Sequence, residues 1–185
     1  SILEAQLNRH FDAPCFDVVN CGVSGMNSLK HHIKTPEYLA LQPDMIILYV
    51  GVNDICHDLF PIWRDQVSTW AKWLRRSWFI NRHFNRTLAA PEAPALREQI
   101  ERYKMPDLRY LIAHARKRDV RVVICSFAAP QPSDREQSDY YEHYTRLEWG
   151  GRHVGFNSYL AALQEYNEAL RHLAETEQTL FIDLQ

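Results

Sequence analysis

Several things are missing from this chain, and each absence closes a class of function. No apolar run reaches the length of a membrane span; "MIILYVGV" at 45–52 is the size of a strand. Charge of one sign is not in excess either. The formal net charge is −2, so no whole-molecule field points toward nucleic acid or an acidic polymer. The four cysteines, Cys15, Cys21, Cys56 and Cys125, show neither a C-x-x-C pair nor zinc-finger spacing. Neither G-x-G-x-x-G nor G-x-x-x-x-G-K-[ST] occurs, so dinucleotide and P-loop phosphate binding lack their fingerprints. There is no internal repeat and no low-complexity tract.

What remains is the composition of a globular α/β chain: 185 residues, 46% apolar and 24% charged. That length suits one domain, 1–185, with a sizeable core. Helical periodicity covers 1–11, where Ser1 and Glu4 form a capping-box pattern and Ile2, Leu3, Leu7 and Phe11 share a face. A helix, or a helix pair interrupted near Pro36, is predicted over 28–42. A region broken around Pro106 precedes "VRVVICSF", and an amphipathic helix spans 157–175. Strands are predicted at 16–21, 44–50, 120–127 and 179–184. "DMIILYV" is apolar almost throughout, as in a strand covered on both faces of a parallel sheet. Cys21 and Cys125 fall at or in these strands, where a thiol acts as a small hydrophobe, and this leans toward a reducing compartment. Alternating strands and helices imply a parallel sheet with helices on its faces, and ligands off the carboxyl ends of its strands.

Two strand ends then stand out. "DVVNCGVSGMNS" (17–28) runs into Gly22 and Gly25; "MIILYVGVNDI" (45–55) ends on Asn53 and Asp54. A glycine there lets a backbone N–H approach a substrate, and Asn53 offers a neutral side-chain donor. Two such donors converging on one point stabilise the oxygen of a tetrahedral acyl-transfer intermediate. For either motif alone, a purely structural turn is an equal reading.

Taken in order, "VVNCGVSGMNS" and "PDMIILYVGVND" resemble the second and third blocks of the SGNH (GDSL-like) hydrolase family. "LIAHARKRDVRVVICSF" and "YNEALRHLAETEQTLFIDL" look like its later helix–strand units. The resemblance implies a flavodoxin-like three-layer α/β/α sandwich and a serine ester hydrolase: an esterase, lipase or carbohydrate deacetylase acting on an O-acyl ester. It implies no metal and no cofactor. Gly25 would give a backbone N–H and Asn53 its amide to the oxyanion hole, while Asp54 would brace the loop. An O-acyltransferase with the same site, or a binding module that has lost catalysis, are the alternatives.

The family's Ser, in a G-D-S motif after the first strand, has no match in 1–185, and Ser1 lies downstream of its place. The family's D-x-x-H motif follows the last strand; the one literal match, Asp54 to His57, overlaps the oxyanion block. The expectation is therefore a piece of a longer domain, without its first strand and C-terminal catalytic segment, and inactive alone.

Other features carry less. The stretch 60–86, with Trp63, Trp70 and Trp78 at helical spacing and Arg75, Arg76, Arg82 and Arg86 nearby, reads as an amphipathic helix, with membrane-surface contact or a lid as the sharper readings. His31 and His32 diverge on a helix and are expected in solvent. Asn85-Arg86-Thr87 is a formal glycosylation sequon. Tyr140, Tyr141, Tyr144, Trp149, Arg152 and His153 lie in a long polar and aromatic excursion suited to substrate-side loops.

Overall fold

The structure, a computed structural model, describes residues 1–9, 11, 14–59, 93–128 and 156–184. The elements in order are α1 (Ile2–Asn8), α2 (Ser28–Ala40), β1 (Met45–Tyr49), a π-helical turn (Asp54–Leu59), α3 (Ala93–Tyr103), α4 (Met105–Arg116), β2 (Arg121–Cys125), α5 (Phe156–Thr176) and β3 (Leu180–Ile182). The strands form one parallel sheet in the order β1-β2-β3. Met45 is opposite Arg121 and Tyr49 opposite Cys125, while Val123 faces Leu180 and Cys125 faces Ile182. Parallel neighbours need crossovers, and here these contain α3 with α4, then α5. This is the α/β arrangement that the alternation of elements predicts, of flavodoxin-like type.

The core lies on one face of the sheet. Leu48, Val50, Val122 and Ile124 pack there against Leu108, Leu111, Ile112 and Ala115 of α4 and Leu163, Tyr166, Leu170 and Leu173 of α5. The α5 positions recur every three or four residues, so one stripe of the helix is buried. Pro106 stands in the first turn of α4, where its missing N–H has no partner to lose, and Lys104 alone separates α4 from the end of α3 at Tyr103. Pro36 does not break α2, which runs through it as a single helix. The α2 carbonyl of His31 takes the hydroxyl of Thr35 at 3.0 Å in the turn just ahead.

All three helices that lead into strands end alike. Gln42, Asp119 and Gln178 adopt φ of 53°, 60° and 51°, a left-handed conformation rare outside glycine. It folds the chain back so that Val120 N–H reaches the Ala115 carbonyl at 3.0 Å and Thr179 N–H that of Ala174 at 2.9 Å. Within two or three residues the strand begins.

Three expectations need correction. Residues 16–21 form no strand. Their backbone is held by α1 side chains instead: Asn8 Oδ1 accepts the Cys15 and Phe16 N–H groups at 2.7 and 2.9 Å, and Glu4 Oε2 accepts Val18 N–H at 3.2 Å. A strand exists only by pairing, and β1 offers these residues no ladder. The capping box of α1 is present, but its apolar face is not buried, Ile2 being 83% exposed. β1 is covered on one face only. Met45, Ile47 and Tyr49, with Leu180 and Ile182 of β3, are exposed because the core helices all lie opposite. The tryptophan-rich stretch, the sequon and the excursion with Tyr140, Tyr141, Tyr144, Trp149, Arg152 and His153 lie outside the described residues.

A left-handed non-glycine residue costs about 1–2 kcal/mol. Gln178→Gly is therefore expected to raise the unfolding free energy by about 0.5 kcal/mol once glycine's larger chain entropy is offset. Urea unfolding of the two proteins checks this, and a less stable Gln178→Gly would show that the glutamine side chain contributes more than its backbone costs.

Candidate active site

At the carboxyl end of β1 the chain passes through Gly51 at φ 152°. A Cβ on Gly51 would stand 3.4 Å from both Phe127 Cβ and Tyr166 Cδ1. Close approach and a backbone conformation foreign to L-residues thus both require glycine here. Ile55 N–H returns to the Gly51 carbonyl at 3.0 Å, and the turn that follows is π-helical. Its wider pitch buries Ile55, Cys56 and Leu59, while Asp54 and Asp58 carry the polar contacts.

The other sequence block closes on itself first. Met26 N–H donates to the Val23 carbonyl at 3.2 Å, and Gly25 holds the third position of that turn at φ 76°. A positive φ at that position is what a type II turn demands, and a Cβ at Gly25 would meet nothing within 4 Å, so conformation alone calls for glycine. Asn27 then caps α2, accepting Lys30 N–H at 3.0 Å, and Lys30 Nζ donates back to the Gly25 carbonyl at 2.8 Å.

Three consecutive residues of the first block bind the second. Asn53 Nδ2 donates to the Met26 carbonyl at 2.7 Å. Asn27 Nδ2 donates to Asp58 Oδ2 at 2.8 Å. Ser28 donates twice to Asp54 Oδ1, from its N–H at 2.9 Å and its hydroxyl at 2.6 Å. The two blocks that the sequence separates by 27 residues are therefore adjacent, with Asn53 tied to the residue next to Gly25. An Asn amide carries two N–H donors. The one given to Met26 fixes the plane of the group, and among the described residues no acceptor takes the other.

Asp54 has no exposed surface. Its second oxygen accepts the Tyr166 hydroxyl at 2.8 Å, and Lys104 Nζ lies 3.6 Å from the first. Lys104 also donates to Asp58 Oδ2. Burial, reinforced by the Asp54 charge, pushes the Tyr166 hydroxyl well above its ordinary pKa, so it stays a donor. Burial and then Asp54 likewise push the Cys56 thiol far up, which leaves it inert as a nucleophile. Asp54 braces the loop, as the resemblance implies. Nothing can be added for the His57 side chain, which lies outside the described residues.

Nor are the histidines of α2 bathed in solvent. They diverge as expected, but His31 Nδ1 meets the Tyr38 hydroxyl at 3.0 Å, and His32 Nδ1 meets Asp107 Oδ1 at 2.7 Å while its ring stacks on Tyr110. Among the described residues, no three His, Cys, Asp or Glu side chains gather as metal ligands do.

Sequence reasoning missed Ser28, Tyr166 and Lys104. Tyr166 is 112 residues from Asp54 and Lys104 is 46 from Asp58, so no local spacing announces either.

With this geometry in place, comparison with known proteins is decisive at the level of family. A model of the GDSL-like Lipase/Acylhydrolase family matches residues 1–185. The chain belongs to the GDSL-like lipase/acylhydrolase family. Its parallel sheet and five described helices agree with the SGNH form of the flavodoxin-like fold, and membership makes it one of a family of hydrolases acting on ester substrates. A search of curated proteins gave no match.

The environment of His31 has a consequence for pH. Burial lowers its pKa from 6.5, with Asp54 opposing the shift. The folded state thus favours the neutral ring. Its contribution to stability is complete above pH 6.5 and is lost as pH falls through that value toward the lower folded pKa. Unfolding free energies measured between about pH 7 and 5 should fall less steeply in His31→Gln than in the parent protein. Equal slopes would remove His31 as a contributor.

Proposed function

We propose that this protein is a serine ester hydrolase acting on O-acyl esters, an O-acetyl group on a carbohydrate among them, and that Gly25 and Asn53 stabilise its oxyanion. A Ser hydroxyl attacks the ester carbonyl carbon, and the carbonyl π electrons move onto oxygen. That oxygen rests between the Gly25 N–H and the second N–H of the Asn53 amide. Collapse expels the alcohol, and water then releases the acyl group from the Ser ester. No G-D-S occurs in residues 1–185 and the literal D-x-x-H overlaps the oxyanion block, so neither the Ser nor its His base is assigned among them. Residues 1–185 alone then stabilise charge without a nucleophile, which leaves little rate enhancement.

The observation that carries this reading is the 2.7 Å bond from Asn53 Nδ2 to the Met26 carbonyl. It sets the amide beside the Gly25 turn, where a Cβ would meet nothing within 4 Å. Both donors are neutral and both belong to tightly braced turns. They therefore need no reorganisation as charge develops, which is the property that makes an oxyanion hole effective.

In the full-length protein, Asn53→Ala is expected to lower kcat for p-nitrophenyl acetate by roughly a hundredfold or more, the scale of losing one oxyanion donor. KM should change far less. A variant that keeps near-normal kcat takes Asn53 out of the mechanism.

A further inference from the structure

We propose that Lys104 is the positioning residue of this site, its ammonium clamping the Asp54 and Asp58 carboxylates so that the turn bearing Asn53 stays locked to the turn bearing Gly25. The proposal rests on the reading of Gly25 and Asn53 given above and goes beyond it by naming the group that holds them in register.

Lys104 occupies the single-residue break between α3 and α4, with its backbone N–H on the Ile100 carbonyl at 2.9 Å. Only 7% of its side chain is exposed. A lysine this deep is costly to desolvate unless paired. Its ammonium donates to Asp58 Oδ2 and lies 3.6 Å from Asp54 Oδ1. The same two oxygens accept the bonds that join the turns: Asp58 Oδ2 takes Asn27 Nδ2, and Asp54 Oδ1 takes both donors of Ser28. Two of the three rungs between the blocks, those from Asn27 and Ser28, thus end on an oxygen that the lysine also touches.

Charge decides why the cation matters. Two carboxylates four positions apart on one turn repel each other, and their remaining partners, Asn27, Ser28 and Tyr166, are neutral donors. Without Lys104 the mutual repulsion of Asp54 and Asp58 has no paired counterion among the described residues, and Asp54, fully buried, cannot turn to water. The turn must spread or rotate to relieve it. Asn53 is the residue immediately before Asp54, so that motion is transmitted first to its amide.

Lys104→Met keeps most of the stem and removes the charge, while Lys104→Arg restores a cation. Two measurements on the full-length protein decide the matter: kcat and KM for p-nitrophenyl acetate, and the side-chain amide 1H–15N signals of Asn27 and Asn53. In Lys104→Met both amide signals are expected to shift or broaden. Its kcat should fall about ten- to a hundredfold, as for displacing a stabilising group by about an ångström, with KM within about twofold. Lys104→Arg should recover most of both. A lysine that served only to stabilise the fold would lower the melting temperature and leave the folded protein's kcat and Asn53 signals where they were, and that result overturns the proposal. If Lys104→Met does not fold, Asp58→Ala removes one of the two clamped carboxylates at a partly exposed position, and an unmoved Asn53 signal there overturns it equally. Parent protein lacking Asn53-dependent hydrolysis would instead defeat the ester-hydrolase reading, while the amide signals still decide whether Lys104 positions Asn53.

Discussion

The Asp54 carboxylate is buried where four parts of the chain meet, and the site's geometry follows from how its charge is met. An ionised carboxylate taken out of water costs several kcal/mol even after relaxation. Here that cost is set against three hydrogen bonds and a cation: Ser28 N–H and hydroxyl from the start of α2, the Tyr166 hydroxyl from α5, and Lys104 from the α3–α4 break. The N-terminus of α2, with its positive dipole end, adds to the same balance. Because every partner comes from a different element, satisfying one charge fixes the relative placement of all of them. Removing any single partner leaves the charge in place and the cost uncompensated, so the arrangement is more demanding than an apolar contact of equal area.

Local features of this architecture were legible in the sequence, and non-local ones were not. Ser1 with Glu4 announces a capping box, Pro106 announces the start of α4, and the spacing of apolar residues announces α5; each depends on neighbours within one or two turns. The glycine turn at Gly25, with its positive φ, was readable too, as was the polar turn that follows β1. By contrast, "FDVVNC" has strand composition but no strand, since composition records a side chain's preference and not whether a partner ladder is available. The run "MIILYV" misled for the same reason: apolarity on both faces is a property of residues, whereas burial on both faces is a property of what lies above and below. Lys104 reads as an ordinary surface lysine until its long-range partners are known.

The carboxyl end of the sheet shows how the second turn is held in place. Asn167 of α5 holds the Phe127 backbone from both sides, accepting its N–H at 2.8 Å and donating to its carbonyl at 2.9 Å. Phe127 stacks on Tyr49, and both Phe127 and Tyr166 close over Gly51. The exit of β1 is therefore pinned from β2 and from α5 at once. Tyr166 does double duty here, packing its ring against Gly51 and giving its hydroxyl to Asp54.

Placing a neutral amide in front of this charged cluster has an electrostatic logic. A developing oxyanion near Asn53 would feel Asp54 one residue away and Asp58 one turn farther on, and both would oppose it. Lys104, in contact with both carboxylates, cancels part of that field. The dipoles of the Ser28 N–H and the α2 N-terminus bear on the same carboxylate. Had the lysine itself faced the substrate, its ammonium would bind ground-state carboxylates and phosphates as readily as a transition state. In the proposed oxyanion site, its pairing with the two aspartates leaves the Asn53 donor uncharged, so that attraction would grow only as charge forms on the substrate oxygen. Differential attraction of that kind is what lowers a barrier, because uniform binding does not.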